Sequence, residues 1–230
     1  MRDAYREELA ALTAALVEMT RLVGSAISRA STALLDADLA LAESVIHADD
    51  AVDALRDDID RRAMDLLARQ QPVAVDLRTI ITSLHAVSDL ERMGDLALHV
   101  AKVARMRYPS CAVPDEVRDT IKQMGDVAQN IVSKTGQVLE GQDLELAEQL
   151  EREDDAMDTL HRRLFAHLLS DDWAHGIEPA IDITLIGRYY ERYADHAVSV
   201  ARQVIYLVTG VPAPLPSAIQ SGATETALGV

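Results

Sequence analysis

The sequence holds one cysteine, one tryptophan and one phenylalanine in 230 residues, and only 3% of it is aromatic. A lone Cys111 rules out an internal disulfide and reads as an ordinary reduced thiol in a loop. Scarce aromatics, with a bulk of Ala, Leu, Val, Asp and Glu, favour helices over strands. Positive charge is short as well: 22 Lys and Arg against 38 Asp and Glu give a formal net charge of −16. A nucleic-acid binder needs a basic footprint, so this balance argues against that class and suits a protein that meets cations or basic partner surfaces. No apolar run approaches the roughly 18 residues needed to cross a bilayer, and the opening MRDAYREEL is polar and charged rather than a secretory leader. A cytoplasmic location is expected. There is no Gly-rich phosphate loop, no G-x-S-x-G and no paired-Cys motif. No Glu-x-x-His occurs either, which tells against a ferritin-like di-iron bundle.

What is present is long and helix-periodic. From Ala4 to Leu35 there is no proline, and apolar residues recur at Leu9, Leu12, Leu16, Met19 and Val23. Asp38 is placed to cap a second helix that runs to about Arg69, and a third runs from about Asp76 to Arg107. Each would be roughly 45 Å long. Asp115 opens a fourth helix, Asp143 caps a fifth, and Pro179 suits the first turn of a sixth that stops at Gly210. The pattern is a duplication. Asp38–Leu55 aligns with Asp143–Leu160 without gaps, more than half of the positions being identical. The third helix aligns with the sixth at an offset of 100 rather than 105, so the second half is expected to have a shorter connection. The expected fold is all-α, six long helices in a tandem repeat of two antiparallel three-helix bundles. Residues 1–110 form the first repeat, 111–212 the second, and 213–230, rich in Pro, Ser, Gly and Thr, a flexible tail.

Four helical pairs of acids stand out, two per repeat: Asp49 with Asp53, Glu91 with Asp95, Asp154 with Asp158, and Glu191 with Asp195. Like charges four apart on a helix repel by a few tenths of a kcal/mol even in water, about 0.2–0.5 kcal/mol. Glu91 falls on an apolar row read as Leu77, Ile81, Leu84 and Val87, continuing through Leu98 and Val103. Asp49 and Asp53 likewise interrupt Ala42, Val45, Ile46, Val52, Ile59, Leu66 and Leu67. Acids on a core-side face need compensation by arginines, water, shifted pKa values or a cation. Four carboxylates from two adjacent helices could hold a hard or borderline metal such as Mg, Mn or Fe. The bland alternative is a solvated acidic face, with Arg92 and Arg192 in ordinary surface salt bridges. His85, His99 and His196 are weaker candidates, and His196 reads as a polar helix residue. Gly94, Ala97 and Ala101, repeated as Ala194, Ala197 and Ala201, read mainly as close-packing positions.

DLERMGDLALHVAK and YYERYADHAVSVAR, with ADDAVDAL and EDDAMDTL upstream, resemble the tandem signatures of the PhoU family of phosphate-signalling regulators. The resemblance covers about residues 1–212. It implies two three-helix bundles side by side and, as in some members, multinuclear metal sites. The matching positions are Asp49, Asp53, Glu91 and Asp95, and Asp154, Asp158, Glu191 and Asp195, with Fe, Mn, Mg or Zn as the metal. It also implies a non-catalytic negative regulator of phosphate uptake and of the phosphate-starvation response. Such a protein is an adaptor between the ATPase of a phosphate transporter and a sensor histidine kinase, peripheral to the membrane through those partners, with a homodimer left open. A metal-dependent enzyme using the acid clusters and a metal-free helical scaffold are the competing readings. The second copy departs from the family pattern, with Tyr189 in place of Asp89 and Tyr193-Ala194 where Ile-Gly is usual, which implies a weaker or different second site.

Overall fold

The computed structural model describes residues 2–211; the tail expected over 213–230 lies outside them. Six helices follow in order: α1 (Arg2–Asp36), α2 (Leu39–Gln70), α3 (Ala74–Arg107), α4 (Asp115–Gly141), α5 (Leu144–Leu168) and α6 (Ile177–Thr209). Local chemistry fixes their ends. The Asp38 carboxylate accepts from the Leu41 N–H at 2.9 Å, and Asp143 does the same for Leu146 at 3.1 Å, so both repeats start their middle helix with the same cap. Asp115 and Glu116 sit in the first turn of α4, and Arg105 and Arg107 in the last turn of α3, each on the favourable side of the helix dipole. Gly210, at a φ of 72°, closes α6 with its N–H on the Tyr206 carbonyl.

The helices make two antiparallel three-helix bundles joined through one continuous core. α1, α3, α6 and α4 form a central ring in which each packs on the next, and α2 and α5 lie outside it, against α1/α3 and α4/α6. By length and composition α1 is apolar enough to cross a bilayer, a property hidden from a run-by-run reading by Glu18 and Arg21. Here its apolar face, Leu12, Leu16, Met19, Val23, Ile27 and Leu34, is buried in the core.

α1 and α4 cross at two matched points. A Cβ on Gly125 would stand 2.9 Å from Ser31 Oγ, and one on Gly136 would stand 2.7 Å from Thr20 Oγ1. Both hydroxyls are committed, Ser31 to the Ile27 carbonyl and Thr20 to the Val17 carbonyl, each at 2.7 Å. Tyr190 adds a third tie, its hydroxyl 2.6 Å from Ser31 Oγ, and Tyr193 donates to the Val23 carbonyl at 3.1 Å. Burial pushes both phenols well above their ordinary range. Along the other seam Arg107 grips Asp182 with two nitrogens, at 2.5 and 3.1 Å, and also pairs with Glu178, while Arg78 donates to the Leu207 carbonyl. These ties set α3 and α6 antiparallel.

Two expectations need correction. The shorter connection in the second half is in fact longer. Gln71 to Val73 joins α2 to α3, whereas Leu169 to Gly176 joins α5 to α6. The residues missing from the second half come out of α5 and the start of α6. The apolar row of α3 is also displaced: Ile80, Val87, Leu90, Met93, Ala97 and Val100 are buried, but Leu77 and Ile81 are exposed and Leu84 and Leu98 only half-buried. α3 packs on α1, α2 and α6 at once, so its buried face is wider than one stripe and centred elsewhere.

Gly125→Ala and Gly136→Ala are expected each to destabilise the protein by about 1–3 kcal/mol in urea unfolding, because the added methyl displaces a bonded hydroxyl. The gain of about 1 kcal/mol in helix propensity offsets only part of this. Ser31→Ala in the Gly125→Ala background should recover part of the loss.

Candidate functional site

Each repeat places its four acids along one two-helix groove, α2 with α3 and α5 with α6. In the first, Asp49 interrupts the buried row Ala42, Val45, Val52 and Ile59 and is itself half-buried. Gly94 makes room for it: a Cβ there would meet Val52 at 3.2 Å and Asp49 Oδ1 at 3.4 Å. The close approach that a mid-helix glycine implies is therefore made by the neighbouring helix and by the acid together. Glu91 and Asp95 stand at the groove's margin with side chains 18% and 34% exposed, and Asp53 is exposed. The shifted core row of α3 explains why Glu91 lies beside the buried face rather than within it. Arg92 reaches Asp95 at 3.0 Å and Glu91 at 3.6 Å from the solvent side.

The second groove repeats the first with less relief. Asp154 is half-buried, the Glu191 side chain is only 16% exposed, and Asp158 and Asp195 lie on the more exposed side. Arg188, not Arg192, pairs with Glu191. Burial raises the Asp49 carboxyl, Asp53 and Asp95 raise it further, and Lys102 opposes them. Asp154 is pushed up to about 7, first by burial and then by Asp195, Asp158, Asp155 and Glu191. In the register of the repeats Lys102 corresponds to Arg202, and Arg202 is held by Glu151 at 2.5 Å, so the second groove loses the cation that eases Asp49. Asp195 is also raised, by burial first, with Arg188 opposing and Asp158 adding.

The structure thus brings Asp49, Asp53 and Asp95 into one electrostatically coupled set and Asp154, Asp158, Glu191 and Asp195 into another, with Glu91 at the margin of the first beside Arg92. It does not close them: among the described residues no three Asp, Glu, His or Cys side chains are placed to hold a metal ion between them. The donor chemistry, carboxylate oxygen throughout, fits a hard or borderline cation, and the carboxyls of Asp49, Asp154 and Asp195 are raised by burial first and by neighbouring acids after it. The spacing is that of an open groove.

His99 and His196 are occupied elsewhere, and His85 is exposed. His99 Nδ1 bonds the Asp95 carbonyl at 2.6 Å, which requires that nitrogen to carry the proton, and its ring lies 5.3 Å from that of Tyr189. His196 Nδ1 donates to Asp89 Oδ1 at 2.9 Å, and Ser199 and Gln203 donate to Oδ2 at 2.8 and 2.7 Å. This cluster ties α3 to α6 and was not legible in the sequence. Its only signal was the mismatch of Asp89 with Tyr189: the pseudo-equivalent of Asp89–Ser199 is Tyr189–His99, a polar contact exchanged for a ring contact.

Two antiparallel three-helix repeats fused through a common core, each with one acidic interhelical groove, define a duplicated all-helical bundle. A family model described as "PhoU domain" matches residues 16–104 and 121–204. The phosphate-specific transport system accessory protein PhoU homolog 2 of Mycobacterium tuberculosis is 49% identical over 210 residues, 91% of this chain and 99% of that protein. The PhoU crystal structure from Pseudomonas aeruginosa superposes with a TM-score of 0.79 at 32% identity, covering 90% of this chain and all (100%) of the other. That of the phosphate transport system regulatory protein PhoU from Streptococcus pneumoniae gives 0.82 at 25% identity, with 92% and 100% coverage. The chain belongs to the PhoU family.

An acid whose pKa rises on folding binds its proton more tightly in the native state, so stability falls as pH climbs from the unfolded value near 3.8 through about 7. Asp154→Asn is therefore expected to raise the melting temperature at pH 8 and to leave it nearly unchanged at pH 4. The rise should be about 2–4 °C, the yield of about 1 kcal/mol in a chain this size once screening of a half-exposed carboxylate is allowed for. Thermal melts of both proteins across that range, in chelator, give the answer.

Proposed function

We propose that this chain is a negative regulator of phosphate uptake and of the phosphate-starvation two-component response. In this reading it is a non-catalytic cytoplasmic adaptor between the ATPase of the phosphate transporter and a sensor histidine kinase. The supporting observation is similarity along nearly the whole length, 91% of this chain and 99% of the relative, to a protein named as a phosphate-specific transport accessory protein. The molecule is in keeping with it: its acids are aligned in two open grooves, suited to recognition of cations or basic surfaces more than to holding a reacting group in a closed pocket. Residues 1–110 and 111–212 act as its two repeats. A cation in each groove would be held by Asp49, Asp53, Glu91 and Asp95, and by Asp154, Asp158, Glu191 and Asp195. It would supply countercharge to acids that Arg92, Arg188 and Lys102 neutralise only in part.

Deletion in the native host, with transcription of a phosphate-regulated reporter followed in high phosphate, tests the regulator role. Derepression is expected; sustained repression in a strain without a paralogue rejects it. Elemental analysis after incubation with Mn(II) or Zn(II) tests the grooves. Wild type should retain metal after desalting, and Glu91→Ala/Asp95→Ala and Glu191→Ala/Asp195→Ala should each lose part of it, the first pair the larger part. No retention by the wild type would reject the cation while leaving the regulator role to the reporter assay.

A further inference from the structure

α5 ends early, and next to its end the outward face at the start of α6 carries an apolar strip. In the first repeat α2 continues to Gln70, and its last turns, with Leu66 buried and Leu67 half-buried, back the beginning of α3. In the register of the repeats Gln70 corresponds to His175, yet α5 stops at Leu168. About two helical turns are thus replaced by the loop Leu169–Gly176. Ile177 and Ile181 are 80% and 54% exposed, against 39% and 36% for their counterparts Leu77 and Ile81, which are exposed as well beside a full-length α2. Leu185, where the first repeat has His85, carries the strip on at the same four-residue spacing. Leu169 borders it, since α5 and α6 run antiparallel with Leu164 and His161 against Gly187.

The loop beside this strip is built, not slack. Trp173 Nε1 donates to the Gly176 carbonyl at 2.8 Å, and its ring packs edge-on between His167 and His175, with centroids 6.2 and 5.0 Å away. The rim is acidic. Asp171 and Asp172 are exposed and make no salt bridge among the described residues, and Glu178, paired with Arg107, stands beside Ile177.

We propose that the strip Ile177, Ile181 and Leu185, bounded by the α5–α6 loop, is a docking groove for a basic amphipathic helix of a partner protein. Apolar anchors one turn apart along a helix are what a helix laid into a groove engages. Three in a row are a contiguous patch rather than scattered surface residues. The unpaired aspartates complement Lys or Arg flanking the partner's apolar face, and they repel an anionic lipid surface. Such a groove gives the adaptor a surface, and it requires neither of the two partners named above nor a cation between the acids.

Trp173 is the single tryptophan and lies at the groove, so its fluorescence reports occupancy. The probe is a synthetic helical peptide with Leu at four-residue spacing and Lys on its flanks, set against a scrambled peptide of the same composition. The helical peptide should shift the emission saturably at micromolar concentration. Ile177→Ser/Ile181→Ser should weaken binding by at least about tenfold, with Ile177→Ser alone serving if circular dichroism shows the double variant to be disturbed. Asp171→Asn/Asp172→Asn should flatten the salt dependence. Leu77→Ser/Ile81→Ser, at the equivalent place in the first repeat, should change nothing. Equal binding of the scrambled peptide, equal weakening by the Leu77/Ile81 variant, or a larger shift with phosphatidylglycerol vesicles than with the peptide would each overturn the proposal. The regulator role would still stand or fall on the reporter assay alone.

Discussion

Asp49 and Asp154 each lie half out of water on the inner side of a two-helix groove, with more acid than base around them. A carboxylate in that position is destabilising unless something supplies positive charge. The folded protein answers in pieces: Lys102 acts on Asp49, Arg92 spans Glu91 and Asp95, and Arg188 takes Glu191. The answers are incomplete, since Asp154 remains near neutrality in its affinity for a proton. Helix spacing, the glycine at position 94 and the placement of acids at the edge of the core all serve this arrangement. A fold selected for stability alone would not repeat it.

The duplication is why so much could be read without coordinates. Caps at Asp38 and Asp143 and the stop at Gly210 are local chemistry, printed in a few residues each. The acid pairs announced themselves because four-residue spacing on a helix fixes their common face. What stayed hidden is what depends on a third helix. The displaced core row of α3 follows from its three neighbours, and no single-helix periodicity contains that information. The hydroxyl-into-glycine crossings of α1 and α4 join residues about a hundred positions apart, as does the Asp89 cluster. The offset between repeats was visible, but its meaning was not: five missing residues could shorten a loop or a helix, and the helix gave way.

The two repeats are unequal, and the differences have a direction. Tyr190 and Tyr193 replace Leu90 and Met93, and both use their hydroxyls to bind α6 to α1. Arg107 and Asp182 bind the start of α6 to the end of α3, where the equivalent positions Leu207 and Thr82 form no ion pair. α6 is therefore the most firmly tied helix of the second repeat at its middle and along its seam with the first. Its outward side, from Ile177 and Ile181 on to Arg188 and Arg192, is exposed.

Rigid placement and exposure together favour recognition over chemistry. A docking surface gains affinity when its anchors are already ordered, because less side-chain and backbone freedom is lost on binding. The ion pairs, buried phenols and Trp173 loop hold the start of α6 in place before any partner arrives. The acid grooves, by contrast, leave their carboxylates at a solvent-facing margin where countercharge can come and go. A cation, or a basic segment of a partner, that entered the second groove would lower the proton affinity of Asp154 and relieve the repulsion between α5 and α6. α6 lines both the groove and the bare strip, so an event at one bears on the helix that presents the other. That shared helix is the shortest physical route by which charge in an acidic groove could alter what docks at the end of the molecule.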